Sequence, residues 1–322
     1  MAISTRLTER LGIKHPIMLA PMDLVADGKL AATVSRAGGF GIIGGGYGDE
    51  AWLKGEMDAA GDARVGVGFI TWALDAKPEA LRLALDAKPA AVMLSFGDPS
   101  PYTKRIKAAG SRIICQVQTL AQAKEAAAAG ADVIIAQGRD AGGHSGMSRG
   151  TIGLVPAIVD AVGSIPVVAA GGIADGRGLA AALSLGASGV SMGTRFTVTV
   201  ESLWDKAMKE KALASGGDLT AQTRVFDIVR GAAWPAIYPG RALRNDFYDQ
   251  WHGKEEALQG QQKQVEASYL ASDANDFAQR VVWAGEGVDL VRDIPTAREV
   301  IERTVDQAAA VLRSGAALVR DI

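Results

Sequence analysis

Cysteine is nearly missing from this chain. Cys115 is the only one in 322 residues, which excludes a disulfide framework and any cysteine-built zinc or iron–sulfur site within one chain. A surplus of one charge is also missing. The 34 Lys+Arg and 36 Asp+Glu leave a formal net charge of −2, so there is no electrostatic footprint for nucleic acid or an anionic membrane. No apolar run reaches the ~18–20 residues of a membrane-spanning helix. Arg6, Glu9, Arg10 and Lys14 interrupt any apolar core of a secretory leader, and a soluble, cytoplasmic protein is the expectation. Clustered His, Asp and Glu with metal-ligand spacing, a Gly-x-Ser-x-Gly nucleophile turn and a dinucleotide-binding fingerprint are absent as well. Any redox chemistry must then be carried by an organic cofactor.

What the chain has is glycine, 39 residues of it, and a repeated unit. With aromatics at only 6%, such a composition suits closely packed strand–helix pairs joined by tight turns. Short runs rich in Val and Ile, closed by Gly or small polar residues, recur at Pro16–Met22, Gly39–Gly46, Val65–Thr71, Ala90–Gly97, Arg112–Thr119, Ala131–Gly138, Ile165–Gly172 and Gly189–Phe196. They are continuous rather than alternating, as expected of strands buried on both faces. Helix-like stretches such as Pro78–Ala87 and Leu120–Ala129 fill the gaps, and parallel strands require such crossovers. Eight evenly spaced repeats predict a (β/α)₈ TIM-type barrel of the α/β class over residues 1–196. The rival is an open flavodoxin-like sheet with a second domain, which rarely needs eight such regular repeats. Residues 197–276 are expected to form a helical cap that bears on the substrate. Residues 277–322 then return to the barrel, with a closing helix over Thr296–Val319.

In such a barrel the functional residues project from the loops after the strand C-termini. Three of these loops stand out. After the seventh run, Gly171 and Gly172 let consecutive N–H groups face a ligand, with Ala170 beside them, and Asp175 can cap a helix whose amide end favours an anion. After the eighth run, Gly193 and Thr194 offer further amides and a hydroxyl. Paired glycine turns at these two strands form the usual phosphate grip of the fold, whereas a lone Gly-Gly would only permit tight packing. The loop AQGRDAGGHSG (Ala136–Gly146) carries His144, one of three histidines, placed to titrate near neutral pH or to donate to a substrate. Gly142 beside it lets a flat ligand come close. His15 and His252 are read as structural. After the first run, Pro21 and Met22 make a stiff apolar turn for a ring system, and Asp23 can accept a hydrogen bond from it. Gln116 and Gln137, on neighbouring strands, suit the edge of a heterocycle. Together these features predict a phosphorylated flavin such as FMN.

The strings HPIMLAPM, GGFGIIGGG, AQGRDAGGHSG, PVVAAGGIADGRGLAAALSLGASGVSMGTRF and WAGEG (Trp283–Gly287) resemble those of nitronate monooxygenases, formerly called 2-nitropropane dioxygenases. The likeness is weakest over 197–276. The resemblance implies non-covalent FMN and oxidation of alkyl nitronates by dioxygen to carbonyl compounds and nitrite. It also implies that His144 is the active-site histidine, acting on the nitronate or as a base on a nitroalkane. Gly171, Gly172, Gly193 and Thr194, with Ala170, match phosphate positions; Pro21, Met22, Asp23, Gln137 and Gly142 match contacts to the flavin. Gln116 stands where relatives differ, some carrying lysine. Ser145 and Glu286 depart from residues frequent in the family and bear on substrate choice and on a hydrogen bond near the flavin. The expected partners are a small nitronate and dioxygen, without nucleic acid or membrane, and a homodimer is the assembly considered. A second reading is an FMN-dependent NAD(P)H oxidoreductase acting on quinones or enoyl thioesters. A third, a non-catalytic flavin- or phosphoester-binding sensor, would make the histidine incidental. The cap residues Trp234, Tyr238, Arg241, Arg244 and Trp251 are read either as a substrate entrance or as packing, and Cys115 as buried filler.

Overall fold

A computed structural model describes residues 2–318. Within them eleven strands occur: β1 (Ile17–Leu19), β2 (Ile42–Gly46), β3 (Gly66–Ile70), β4 (Ala91–Ser95), β5 (Arg112–Val117), β6 (Val133–Gln137), β7 (Gly143–His144), β8 (Val167–Ala170), β9 (Gly189–Met192), β10 (Thr220–Thr223) and β11 (Gly240–Leu243). Each of the eight predicted runs contains one parallel strand. Their order is β1-β9-β8-β6-β5-β4-β3-β2, and a parallel bridge between Met18 and Phe40 closes the ring. The fold is a (β/α)₈ barrel.

Period-two alternation along each strand assigns its faces. Met18, Ile42, Met93, Ile114, Ile135 and Val168 fill the barrel interior. Leu19, Ile43, Val92, Ile113, Ile134 and Val190 instead pack against the surrounding helices. Both sets are apolar, which is why the sequence shows runs instead of alternation. The helix Arg6–Leu11, capped by Thr5, plugs the lower end with Leu7 and Leu11. At the upper end the inward register switches to polar residues, Ser95, Gln116 and Gln137.

The two crossover helices read from sequence are observed at Pro78–Asp86 and Leu120–Ala128. The last helix spans Ala297–Ala316 with Thr296 as its N-cap. Its Val300, Ile301, Val305 and Ala308 join the barrel's outer core; Val319, its expected end, lies outside the described residues. The region between β9 and this helix is not all helical, contrary to expectation. β10 and β11 pair antiparallel, and β11 also pairs with β7. The polar, four-residue Thr220–Thr223 carries no apolar run, so its strand character comes from its partner rather than from propensity. The cap's own core gathers Phe226, Phe247, Leu258 and Tyr269.

Candidate active site

The C-terminal strand ends open into a cavity of about 290 Å³. All twelve residues singled out from sequence line it: Pro21, Met22 and Asp23 after β1, Gln116 on β5, Gln137 on β6, Gly142 and His144 in the following loop, Ala170, Gly171 and Gly172 at β8, and Gly193 and Thr194 after β9. All the barrel strands pair parallel, so every C-terminus points the same way and these loops meet at one mouth.

Gly171 and Gly172 take φ of +117° and +65°. A Cβ on Gly171 would lie 2.7 Å from Thr151 Oγ1 and 2.9 Å from Asp140 Oδ1, so the turn requires glycine twice over. Asp140 holds it from below, accepting from the Thr151 N–H at 3.1 Å and the hydroxyl at 2.9 Å. Above it packs the Trp283–Gly287 segment, whose Gly285 N–H donates to Thr194 Oγ1 at 3.1 Å. The backbone N–H groups of Gly172, Ile173 and Gly193 have no protein acceptor among the described residues. The helix Gly176–Ser184 departs from expectation. Its first amides are already occupied, Gly176 by Gln307 and Arg177 and Gly178 by the capping Asp175. The amides left without an acceptor in this cradle are therefore those of the glycine turns and not those at the start of this helix.

His144 lies on β7, opposite Gly240 of β11, so the small antiparallel sheet fixes its backbone. Gln137 adds a second tether, donating to the His144 carbonyl at 3.0 Å. Gln137 is itself oriented by donors from Gln116 at 3.2 Å and Gln118 at 2.9 Å. The imidazole Nε2 is 3.0 Å from both oxygens of Asp227. One ring face stacks on Trp234, with centroids 3.5 Å apart and planes 5° apart. Burial lowers the His144 pKa, and Asp227 opposes that shift without reversing it. The imidazole is thus neutral at physiological pH, and its Nε2–H donates to the carboxylate, leaving the lone pair on Nδ1. Asp23, also enclosed, has its carboxyl raised to about 6 by burial, with Arg230 pulling the other way.

Sequence reasoning missed Asp227 and Arg230. Asp227 sits on the helix Val225–Val229, is 3% exposed, and meets Arg230 Nη2 at 3.1 Å. The signal was available: an acidic residue inside Val-Phe-Asp-Ile-Val is rarely buried without a partner. Among the cap residues considered, only Trp234 lines the cavity. Tyr238 accepts a hydrogen bond from Gln122, Arg241 pairs with Glu286 and Arg244 with Asp249, while Trp251 packs in the cap core. The two departures also lie outside the cavity. Ser145 is fully buried and accepts from Gln222, and the half-exposed Glu286 carboxylate faces Arg241. His15 is buried below the barrel, with Nδ1 unpartnered, and His252 lies 3.4 Å from Thr223 Oγ1. Burial pushes the Cys115 thiol up to about 12, the state of an inert core residue.

Asp227→Asn keeps the shape and removes the charge that raises the His144 pKa. Acting as a base, His144 would work as the neutral imidazole, so turnover of a substrate that must lose a proton would fall as pH drops through that lowered pKa. The acid limb of kcat/KM in the variant is expected at lower pH than in the wild type. A pH–rate profile checks this, and an unmoved acid limb would show that the carboxylate does not act through His144.

A closed parallel barrel with a cavity and a histidine–carboxylate pair at its C-terminal mouth is the architecture of a barrel enzyme. The sequence model described as nitronate monooxygenase matches residues 4–64 and 70–307, and the chain belongs to that family. A nitronate monooxygenase of Neurospora crassa is 34% identical, covering 92% of this chain and 89% of its own length. A Mycobacterium tuberculosis protein named (3aS,4S,5R,7aS)-5-hydroxy-7a-methyl-1-oxo-octahydro-1H-indene-4-carboxyl-CoA dehydrogenase is 32% identical, covering 99% and 100%. Among solved structures, FabK from Thermotoga maritima superposes with a TM-score of 0.85 at 31% identity, over 98% of this chain and 100% of that one. The protein is an oxidoreductase, and no helix among the described residues is long and apolar enough to cross a membrane.

Proposed function

We propose that the protein holds FMN in this cavity and oxidises alkyl nitronates with dioxygen to a carbonyl compound and nitrite. The observation that carries the reading is His144. It is a neutral imidazole with its Nε2–H fixed on Asp227, at the rim of a cradle of unpartnered amides. The residues present fit the cofactor. The glycine turns would take the phosphate, and the Ser95 and Ser191 hydroxyls, buried without partners beside Gln116 and Gln137 on the cavity wall, would take the polar edges of the ring. A hydroxyl left unpaired in such a place costs about 1–3 kcal/mol, which a ligand would relieve. Bound FMN supplies the electron acceptance that no side chain here offers.

The chain's own part is to bind, orient and move a proton. Asp227 and Trp234 leave the His144 ring neither in-plane rotation nor tilt. Its lone pair on Nδ1 can accept the α-proton of a neutral nitroalkane, and Asp227 then meets the imidazolium charge. A preformed nitronate needs no base. Tyr47, Phe96, Trp234 and Trp283 on the cavity wall keep water from the reacting carbon.

A second reading rests on the M. tuberculosis relative, whose name gives a CoA thioester as substrate, and on the FabK likeness. It makes this protein a flavin-dependent oxidoreductase that exchanges electrons with NAD(P)H or a thioester. Purified protein supplied with FMN, assayed aerobically for nitrite against a panel of alkyl nitronates and in parallel for NADH and NADPH oxidation, separates the two. Nitrite release without pyridine-nucleotide oxidation is expected. Rapid NAD(P)H oxidation with no nitrite would overturn the proposal in favour of the second reading.

A further inference from the structure

Arg230 is the only lysine or arginine on the cavity wall, and Asp23 the only acid. Its guanidinium is held from one side. Nε donates to the Phe226 carbonyl at 2.8 Å, Nη2 to Asp227 Oδ1 at 3.1 Å, and the group lies 5.4 Å from the centre of the Trp283 ring. Nη1 has no acceptor among the described residues, and the side chain remains a third exposed. A guanidinium fixed by two bonds presents its remaining donors without further loss of freedom, and its planar fork matches a planar two-oxygen anion. The surroundings add a second preference. Six aromatic side chains line the cavity, Tyr47, Phe69, Phe96, Trp204, Trp234 and Trp283, in a chain with 18 aromatics in all. A third of them thus serve one site, and Trp234 alone makes edge contacts with Tyr47, Trp72 and Phe96.

We infer that Arg230 is the specificity-determining residue for the charged end of the substrate, and that the site selects a planar two-oxygen anion, nitronate or carboxylate, borne on an apolar, ring-sized body. This rests on the nitronate reading for its reaction but not for its binding chemistry. A carboxylate has the shape and charge of a nitronate and lacks its reactivity, so the same residue makes carboxylates into ligands. The two carboxylates near Arg230, Asp23 and Asp227, already balance much of its charge. Recognition therefore depends on the free Nη1 edge and its geometry, and lysine is a poor replacement.

The test uses FMN-loaded protein and two probes, benzoate and its neutral isostere benzamide. Binding is followed by calorimetry and by tryptophan fluorescence, which needs no turnover. Benzoate is expected to bind the wild type and to compete with an aryl nitronate. Arg230→Met and Arg230→Lys are each expected to weaken benzoate about ten-fold or more, the worth of a charge-assisted hydrogen bond, and to leave benzamide unchanged. The KM for nitronate should rise by a similar factor. Nitronates with a ring-sized body should show lower KM than nitroethane-derived nitronate. Equal benzoate affinity in wild type and both variants would overturn the inference, as would equal losses for benzoate and benzamide. Arg230-dependent benzoate binding by a protein that releases no nitrite would uphold the inference while the nitronate reading fails. Nitrite release with KM unmoved by either Arg230 substitution would do the reverse.

Discussion

His144→Asn is expected to lower turnover of neutral nitroalkanes by about 10²–10⁴-fold, the usual contribution of a positioned general base, with a smaller loss on preformed nitronates. The asymmetry follows from the chemistry. Only the nitroalkane must surrender its α-proton, and asparagine has no basic lone pair to take it. Asparagine is too short to replace Nε2 at Asp227, but Arg230 Nη2 still donates to that carboxylate at 3.1 Å, so the buried charge is not left bare and the fold should persist. Flavin content and thermal stability, measured alongside nitrite release, report that. Full turnover on both substrates by a correctly folded, flavin-loaded variant would remove His144 from the mechanism. Equal losses on both would assign it to binding or orientation instead of proton transfer.

The second large effect concerns the cofactor. Gly171→Ala puts a side chain where φ is +117° and where Cβ would fall 2.7 Å from Thr151 Oγ1. A non-glycine residue in such a region costs on the order of 1–3 kcal/mol before any clash is counted. Thr151 cannot easily yield, since its hydroxyl sits between Asp140 Oδ1 and the carbonyls of Ala170 and Gly171 at 2.9–3.2 Å. The turn is therefore expected to relax out of the cradle geometry, and FMN affinity to fall by roughly 5- to 150-fold, the equivalent of that strain. Flavin retained per chain after gel filtration, followed by FMN titration of the stripped protein, measures it. Unchanged affinity would move the phosphate site away from these turns.

Much of this site could be read from the chain because a parallel barrel converts order in sequence into position in space. Once eight apolar runs are found, the residues that follow each one must meet at a single mouth. This is why Asp23, Gln116, His144, Gly171 and Thr194, scattered over more than half the chain, could be assigned to one cavity. The same logic has no purchase on the cap. Asp227 and Arg230 follow no barrel strand, and the short helix that carries Asp227 and ends at Arg230 is placed by Phe226 and Val229 packing into a core of cap residues. β7 was legible only as a glycine-rich loop, because two residues cannot show a period and its partner β11 lies far along the chain.

The sequence alone determined the barrel, the set of loops at its mouth and the chemical types gathered there, since burial on two faces and the turn demands of glycine are local in origin. Tertiary structure decided the state of those groups. That His144 is neutral follows from its enclosure by Trp234 and Trp283, that its proton sits on Nε2 follows from Asp227, and that Arg230 keeps one free edge follows from where its other donors are anchored. Protonation and hydrogen-bond direction depend on distance and solvent exclusion between residues remote in the chain, and no spacing in the sequence encodes those.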